Sequence, residues 1–189
     1  MQPKYTGILI TGSSHTGKST MAAALAEKLG CKTLHTDEMA RHPGRPWPTP
    51  KPQVAEFYST LSADTIFWFL RAHYENFQFQ IHQLIDQNIA AETPFILEGS
   101  AIRPALLQFD AEVPVRKICL TANADILRDR IRASCDWDNQ SPAAREAIDA
   151  FTSRTIMDNA ELVQTAGANG FEIIETDSDL SISQIALQF

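Results

Sequence analysis

Apolar residues recur along the chain with two periods. Short runs that are β-branched or continuously apolar occupy residues 5–11, 32–36, 94–97, 115–121 and 171–176, and each reads as a strand. Residues 94–97, Pro-Phe-Ile-Leu, are wholly apolar, as a strand buried on both faces of a parallel sheet requires. Between these runs the apolar positions fall three to five apart, which predicts helices at 20–29, about 54–90, 124–133, about 141–168 and 180–189. The long 54–90 pattern is one bent helix or two, with Ser62 capping the second. Ser141-Pro142 reads as an N-cap followed by proline at the first helical position, and Gly30 as a helix stop. Asp177 or Ser178 caps the closing helix. Strands alternating with helices imply an α/β fold: a three-layer sandwich with a five-stranded parallel sheet, order 2-3-1-4-5, covered on both faces.

Two stretches break the pattern. Residues 38–52 carry five prolines between Pro43 and Pro52, which forbids regular helix and favours an extended loop. Loops of that length are uncommon unless functional, and Arg41, Arg45 and Trp47 on it suggest a segment facing a substrate. Residues 135–140 are polar and aperiodic. The aromatic cluster Phe67, Trp68, Phe69, Tyr74, Phe77 and Phe79 is read as core packing in preference to a stacking platform, because most of it follows the apolar stripe.

A chain of 189 residues is one large domain, long enough to bury a core unaided. Its net charge of −7 disfavours broad adhesion to nucleic acid or anionic lipid, so any anion site must be built locally. Cys31, Cys119 and Cys135 are odd in number, widely spaced and best read as reduced thiols, with no zinc-like spacing of His, Cys and carboxylates. Met1-Gln2-Pro3-Lys4 passes straight into the first strand and no apolar run is long enough to span a bilayer, so a cytoplasmic protein is expected.

The chemistry centres on Gly12-Ser13-Ser14-His15-Thr16-Gly17-Lys18-Ser19, a full G-x-x-x-x-G-K-[ST] run lying between the first strand and the first helix. In that context backbone N–H groups from Gly12 to Thr20 can wrap a polyphosphate, and the helix N-terminus adds partial positive charge. Lys18 reaches the β/γ-phosphates and Ser19 ligates Mg²⁺. Ligands of open parallel sheets sit beyond the carboxyl ends of the strands, and those ends bring Asp37, Glu98 and Thr176-Asp177 to the loop's rim. Asp37 is the leading candidate for orienting or deprotonating an acceptor hydroxyl, with helix capping as its structural alternative. Glu98 either takes that proton or holds Mg²⁺, through water if not directly. Arg128 and Arg132 either close over the transferring phosphoryl group or form a solvated face paired with Asp125 and Asp129. Arg41, Arg45 and Arg103 are candidates for pairing with an anionic substrate group. The ring of His15 is assigned no catalytic role.

These motifs resemble the P-loop small-molecule kinases of the nucleoside-monophosphate-kinase-like group, which includes adenylate, shikimate and gluconate kinases and chloramphenicol phosphotransferase. The resemblance rests on G-S-S-H-T-G-K-S-T, Asp37 after the second strand, Glu98-Gly99-Ser100, the arginine-bearing helix before a short lid at about 128–145, and the late strand ending Glu175-Thr176-Asp177. It implies a P-loop NTPase fold over 1–189, a substrate-facing segment at about 38–90, and Thr176 and Asp177 near the nucleotide base. Glu98-Gly99-Ser100 stands where adenylate kinases carry D-G-[FY]-P-R, which argues against a plain nucleoside monophosphate acceptor, and no N-K-x-D signature is present, so ATP is the expected donor. The reading is an ATP- and Mg²⁺-dependent kinase acting on the hydroxyl or phosphate of a small, in one version anionic, metabolite, working as a monomer or homodimer. The alternatives are a nucleotide-driven regulatory switch without an acceptor, and a kinase of nucleic-acid ends, which the acidity disfavours.

Overall fold

Every residue of β1 (Gly7–Gly12) is buried, and this strand forms the middle of the sheet. The structure, a computed structural model, describes residues 5–39, 43–107 and 113–177. In chain order β1 is followed by α1 (Lys18–Leu29), β2 (Lys32–His35), α2 (Pro52–Thr60), α3 (Ala63–Glu75), α4 (Gln78–Ala90), β3 (Phe95–Glu98), β4 (Val115–Thr121), α5 (Ala124–Cys135), α6 (Pro142–Ala166) and β5 (Glu172–Glu175). The strands pair in parallel in the order β2-β3-β1-β4-β5. Among the described residues no helix is long and apolar enough to cross a membrane.

Alternation along the central strands divides the core between the two faces of the sheet. Leu9, Phe95 and Leu97 meet Ile81 and Ile85 of α4 and Leu162 and Ala166 of α6 on one side. On the other, Ile8, Ile10, Ile96, Ile118 and Leu120 meet Met21, Ala22 and Leu25 of α1. A third cluster lies outside the sheet layers, where Trp47 from the proline-rich loop joins Tyr58, Ile66 and Leu70 of α2 and α3 against Ile148 and Phe151 of α6.

The 54–90 segment is three helices, not one or two. Ser62 caps α3 through its Oγ, which accepts from the Thr65 amide at 3.2 Å, and the extended backbone of Leu61 and Ser62 ends α2. A second break at Asn76 and Phe77 is stabilised by Asn76 donating to the Ala72 carbonyl and by Phe77 packing edge-on against His73. Core packing does not hold for the whole aromatic cluster: Trp68 and Phe79 are each 69% exposed, and Phe69 is exposed as well. Asp37 falls in a short 3-10 turn, Thr36–Glu38, that follows β2. Ser141 caps α6 with Pro142 in its first turn. The closing helix read at 180–189 lies outside the described residues.

Phe95 sits under β1 so closely that a Cβ on Gly7 would collide with its ring. Truncating it removes one of the two buried phenylalanines of that cluster, so Phe95→Ala is expected to lower unfolding free energy by ~3–5 kcal/mol, measured by urea denaturation.

Candidate active site

The phosphate loop is set by backbone contacts. Gly12 adopts φ 151°, and a Cβ there would collide with the Leu120 carbonyl and the Thr16 hydroxyl, so only glycine lets β1 turn this close to β4. Gly17, at φ 92°, precedes α1 without a side-chain cap, which leaves the first amides of α1 available to an anion. Thr16 Oγ1 donates to the Ser13 carbonyl at 2.9 Å, and Lys18 Nζ donates to the same carbonyl at 2.7 Å. Burial lowers the Lys18 pKa, opposed by the charges of Glu98, Asp37 and Asp158.

Glu98 is buried at the end of β3, which adjoins β1, and its Oε1 accepts from Ser19 Oγ at 3.0 Å and lies 2.7 Å from His35 Nδ1. Gly99 and Ser100 each have a reason. A Cβ at Gly99 would collide with the Thr36 side chain, and Ser100 Oγ donates to the Gly12 carbonyl at 3.1 Å, tying the end of β3 to the loop. Lys18, Ser19 and Glu98 therefore converge, with His35 an additional partner of the carboxylate that sequence reasoning did not single out.

Asp37, whose charge also acts on Lys18, lines a pocket that Ser14 and Ser100 border. Its walls are Ser14, Asp37, Arg45, Ser100 and a set contributed by the helices: Tyr58, Leu70, Tyr74, Phe151 and Arg154. Trp47 does not face this space as a substrate contact. It is buried, edge-on to Phe151 at 4.9 Å and 5.9 Å from the His15 ring, so it anchors the proline-rich loop to α6 and to the phosphate loop. Arg41 lies outside the described residues.

Two expected arginine roles change. Arg103 does not line this pocket: it is buried, its guanidinium pairs with Asp158 at 2.6 Å and Glu161 at 3.0 Å, and it lies over Tyr74. Arg128 pairs with Asp125, and Arg132 lies over Trp137 at 4.6 Å with Arg145 on the same ring, so neither reaches the phosphate loop. Arg130, between them, does. It donates to the His15 carbonyl at 3.2 Å and to Thr176 Oγ1 and carbonyl at 3.0 and 2.6 Å. The signal was available, since Arg130 shares a stripe with Leu127 and Ile131, whereas its neighbours two residues away point elsewhere. Thr176 also donates to the Thr121 carbonyl, and Asp177 accepts from Asn123, so this carboxylate fastens the start of α5. Asn159, likewise missed, joins Ser13, Thr121 and Ala122 from α6.

Arg154 was legible too, because 151, 154, 155 and 158 are the i, i+3, i+4, i+7 positions of one helix face, and all four are buried. Taking only the apolar members of that stripe hid it.

The His15 ring, at φ 66°, is 3.0 Å from both Ser14 Oγ and Ser134 Oγ. Ser134 donates to the Ile131 carbonyl, so Nε2–H donates to Ser134 and Nδ1 accepts from Ser14. Burial first, then the charges of Arg45, Lys18, Arg154 and Arg130, pull its pKa down to about 4, and the ring is neutral at pH 7. With a folded pKa below the ordinary 6.5, the unfolded state takes up more protons between pH 6.5 and 4, so stability falls as pH drops through that window. His15→Asn, which tolerates the same positive φ, is expected to flatten that part of the pH dependence, read as urea midpoints at pH 7 and 4.5.

No protein-family model matches the chain and no curated protein matches it. Its fold is shared with solved structures. A gluconokinase from Sinorhizobium meliloti is 16% identical, with TM-score 0.51 over 96% of this chain and 91% of that one. Deoxyadenosine kinase from M. mycoides, solved with bound dATP, is 16% identical, with TM-score 0.53 over 96% of each chain. The five-stranded parallel sheet in the order 2-3-1-4-5 thus belongs to a fold that the chain shares with these two kinases.

Proposed function

We propose that the chain is an ATP- and Mg²⁺-dependent phosphotransferase that moves the γ-phosphoryl group of ATP onto a small molecule. One observation carries this reading: the Lys18, Ser19 and Glu98 end of the phosphate loop adjoins a pocket whose wall bears Asp37. A regulatory switch needs the first part and has no use for the second.

The residues fit a nucleotide-bound magnesium ion. Ser19 Oγ and Glu98 Oε1 are 3.0 Å apart at the start of α1, and hard oxygen ligands are what the ion requires. Among the described residues no cluster of three or more His, Cys, Asp or Glu could hold a metal, so Ser19 and Glu98 would share it with the nucleotide phosphates. When bound, the ion supplies neutralisation of phosphate charge. Lys18 leaves the Ser13 carbonyl for the β/γ-phosphates and offsets charge on the transferring group. The acceptor oxygen attacks Pγ, the bond from Pγ to the β,γ-bridging oxygen breaks, ADP departs, and the hydroxyl proton passes to the Asp37 carboxylate. This division gives Glu98 the magnesium side and Asp37 the acceptor side. Arg130 keeps Thr176 and the His15 carbonyl in place at the outer end of the loop, beside the expected base position. The lid is the link between α5 and α6, where Arg132, Trp137 and Arg145 stack.

Lys18→Ala is expected to lower turnover about 10²–10³-fold, and chelation of Mg²⁺ with EDTA to abolish it, both read as ADP release. Asp37→Asn is expected to lower kcat by about 10²–10⁴-fold while leaving the affinity for β,γ-imido-ATP within about threefold. Nucleotide binding and turnover that both survive Lys18→Ala, or an Asp37→Asn rate equal to wild type, overturn the respective assignment. Tight binding of ATP with no acceptor-stimulated ADP release across hydroxy acids, sugars, nucleosides and phosphorylated metabolites favours the switch.

A further inference from the structure

Two arginines are buried beside α6, and the fold treats them differently. Arg103, 4% exposed, is answered by Asp158 and Glu161. Arg154, 7% exposed, has no carboxylate paired with it among the described residues, and its Nε is buried without a hydrogen-bond partner. Its guanidinium lies 4.1 Å over the Phe151 ring, beside Tyr58, and lines the pocket that holds Asp37. Leaving a buried cation without its anion is costly, and the contrast with Arg103 lies in the carboxylates: Arg103 has two beside it and Arg154 has none among the described residues. Arg154 has the neutral Tyr58 hydroxyl as a hydrogen-bond partner and borders the pocket instead.

The other walls agree. Arg45 adds a second positive charge and Asp37 is the one carboxylate among the lining residues, so the pocket is locally positive within a chain of net charge −7. Tyr58 donates to the Gly44 carbonyl, and burial raises the pKa of both Tyr58 and Tyr74, so the two phenols stay neutral and offer Arg154 no negative charge. Tyr58, Leu70, Tyr74 and Phe151 present ring and aliphatic surface. The pocket is partly open to solvent and its inner volume, about 80 Å³, suits a compact molecule.

We infer that the acceptor is a compact hydroxylated molecule with an apolar face and one anionic group, carboxylate or phosphate, and that Arg154 is the residue that binds the anion while the hydroxyl faces Asp37. This rests on the phosphotransfer reading of the same site. Phosphoryl transfer needs the acceptor held at a fixed distance and angle, and a guanidinium anchored by Phe151 on a long helix provides two-pronged recognition of a planar carboxylate or a phosphate. A neutral isostere would leave the buried cation unsatisfied, which makes the pocket selective against it.

The test uses the full chain and needs no turnover. Benzoate, phenyl phosphate and the uncharged benzamide are titrated by calorimetry into wild type, Arg154→Met and Arg154→Lys, with and without β,γ-imido-ATP and Mg²⁺. One or both anions are expected to bind wild type at least about tenfold more tightly than benzamide, and the tighter of the two identifies the acceptor's charge as carboxylate or phosphate. Arg154→Met is expected to remove that preference, and Arg154→Lys to keep part of it, with both variants binding the nucleotide analogue within about threefold of wild type as evidence of an intact fold. Saturation with the analogue is expected not to displace the anion. Benzamide binding as well as the anions, no binding of any probe, an unchanged preference in Arg154→Met, or displacement by the analogue, which would assign Arg154 to the nucleotide phosphates, each overturns the inference. Anion binding at Arg154 together with loss of every nucleotide-linked activity would instead bring down phosphotransfer and leave the anion site standing.

Discussion

The site depends on close approaches at two glycines that leave no room for a Cβ. At Gly12 the chain turns out of β1 against the Leu120 carbonyl of β4, and at Gly99 it leaves β3 against Thr36 beyond β2. These two contacts draw the ends of neighbouring strands together, and Ser100 then bonds back to the Gly12 carbonyl. Glu98 is carried by this arrangement to Ser19, and Asp37 to the wall of the pocket. Substituting either glycine would move the phosphate loop or the carboxylate, so the precision of the chemistry resides in sheet geometry more than in side-chain flexibility.

Helix α6 does for the acceptor side what β1 does for the nucleotide side. One face of it supplies Phe151, on which Trp47 and Arg154 rest; Asp158, which holds Arg103; and Asn159, which reaches Ser13 and Thr121. Trp47 fastens the proline-rich loop by packing between Phe151 and His15. A neutral His15 suits this place, since a charged imidazole would stand among Arg45, Lys18, Arg154 and Arg130. Positive charge gathered here, in an otherwise acidic chain, gives the rim a field that favours anions at short range and is screened beyond about 10 Å at ordinary ionic strength.

Much of this was legible along the chain because it depends on local rules. Period two and period three-to-four patterns located the five strands and the helices flanking the loop, and G-x-x-x-x-G-K-S specified a conformation that few other contexts produce. Caps at Ser62 and Ser141 could be read because an N-cap is a contact between residues three apart. Helix faces were legible only in part. Arg130 and Arg154 lie on the buried stripes of α5 and α6, but choosing arginines by their spacing from one another selected Arg128 and Arg132, which face away from the loop.

What the chain by itself determined was the succession of its five strands, the phosphate loop and the carboxylate that ends β3, since each follows from neighbours close in sequence. Tertiary structure alone decided which arginine is spent and which is open. Arg103 and Arg154 are alike as residues, and their difference arises because Asp158 and Glu161 come to lie beside one of them when α6 packs on the sheet, while the other meets Phe151 and the wall of the pocket. A partner distant in sequence leaves no local trace, and the pairing of buried charges is settled by packing.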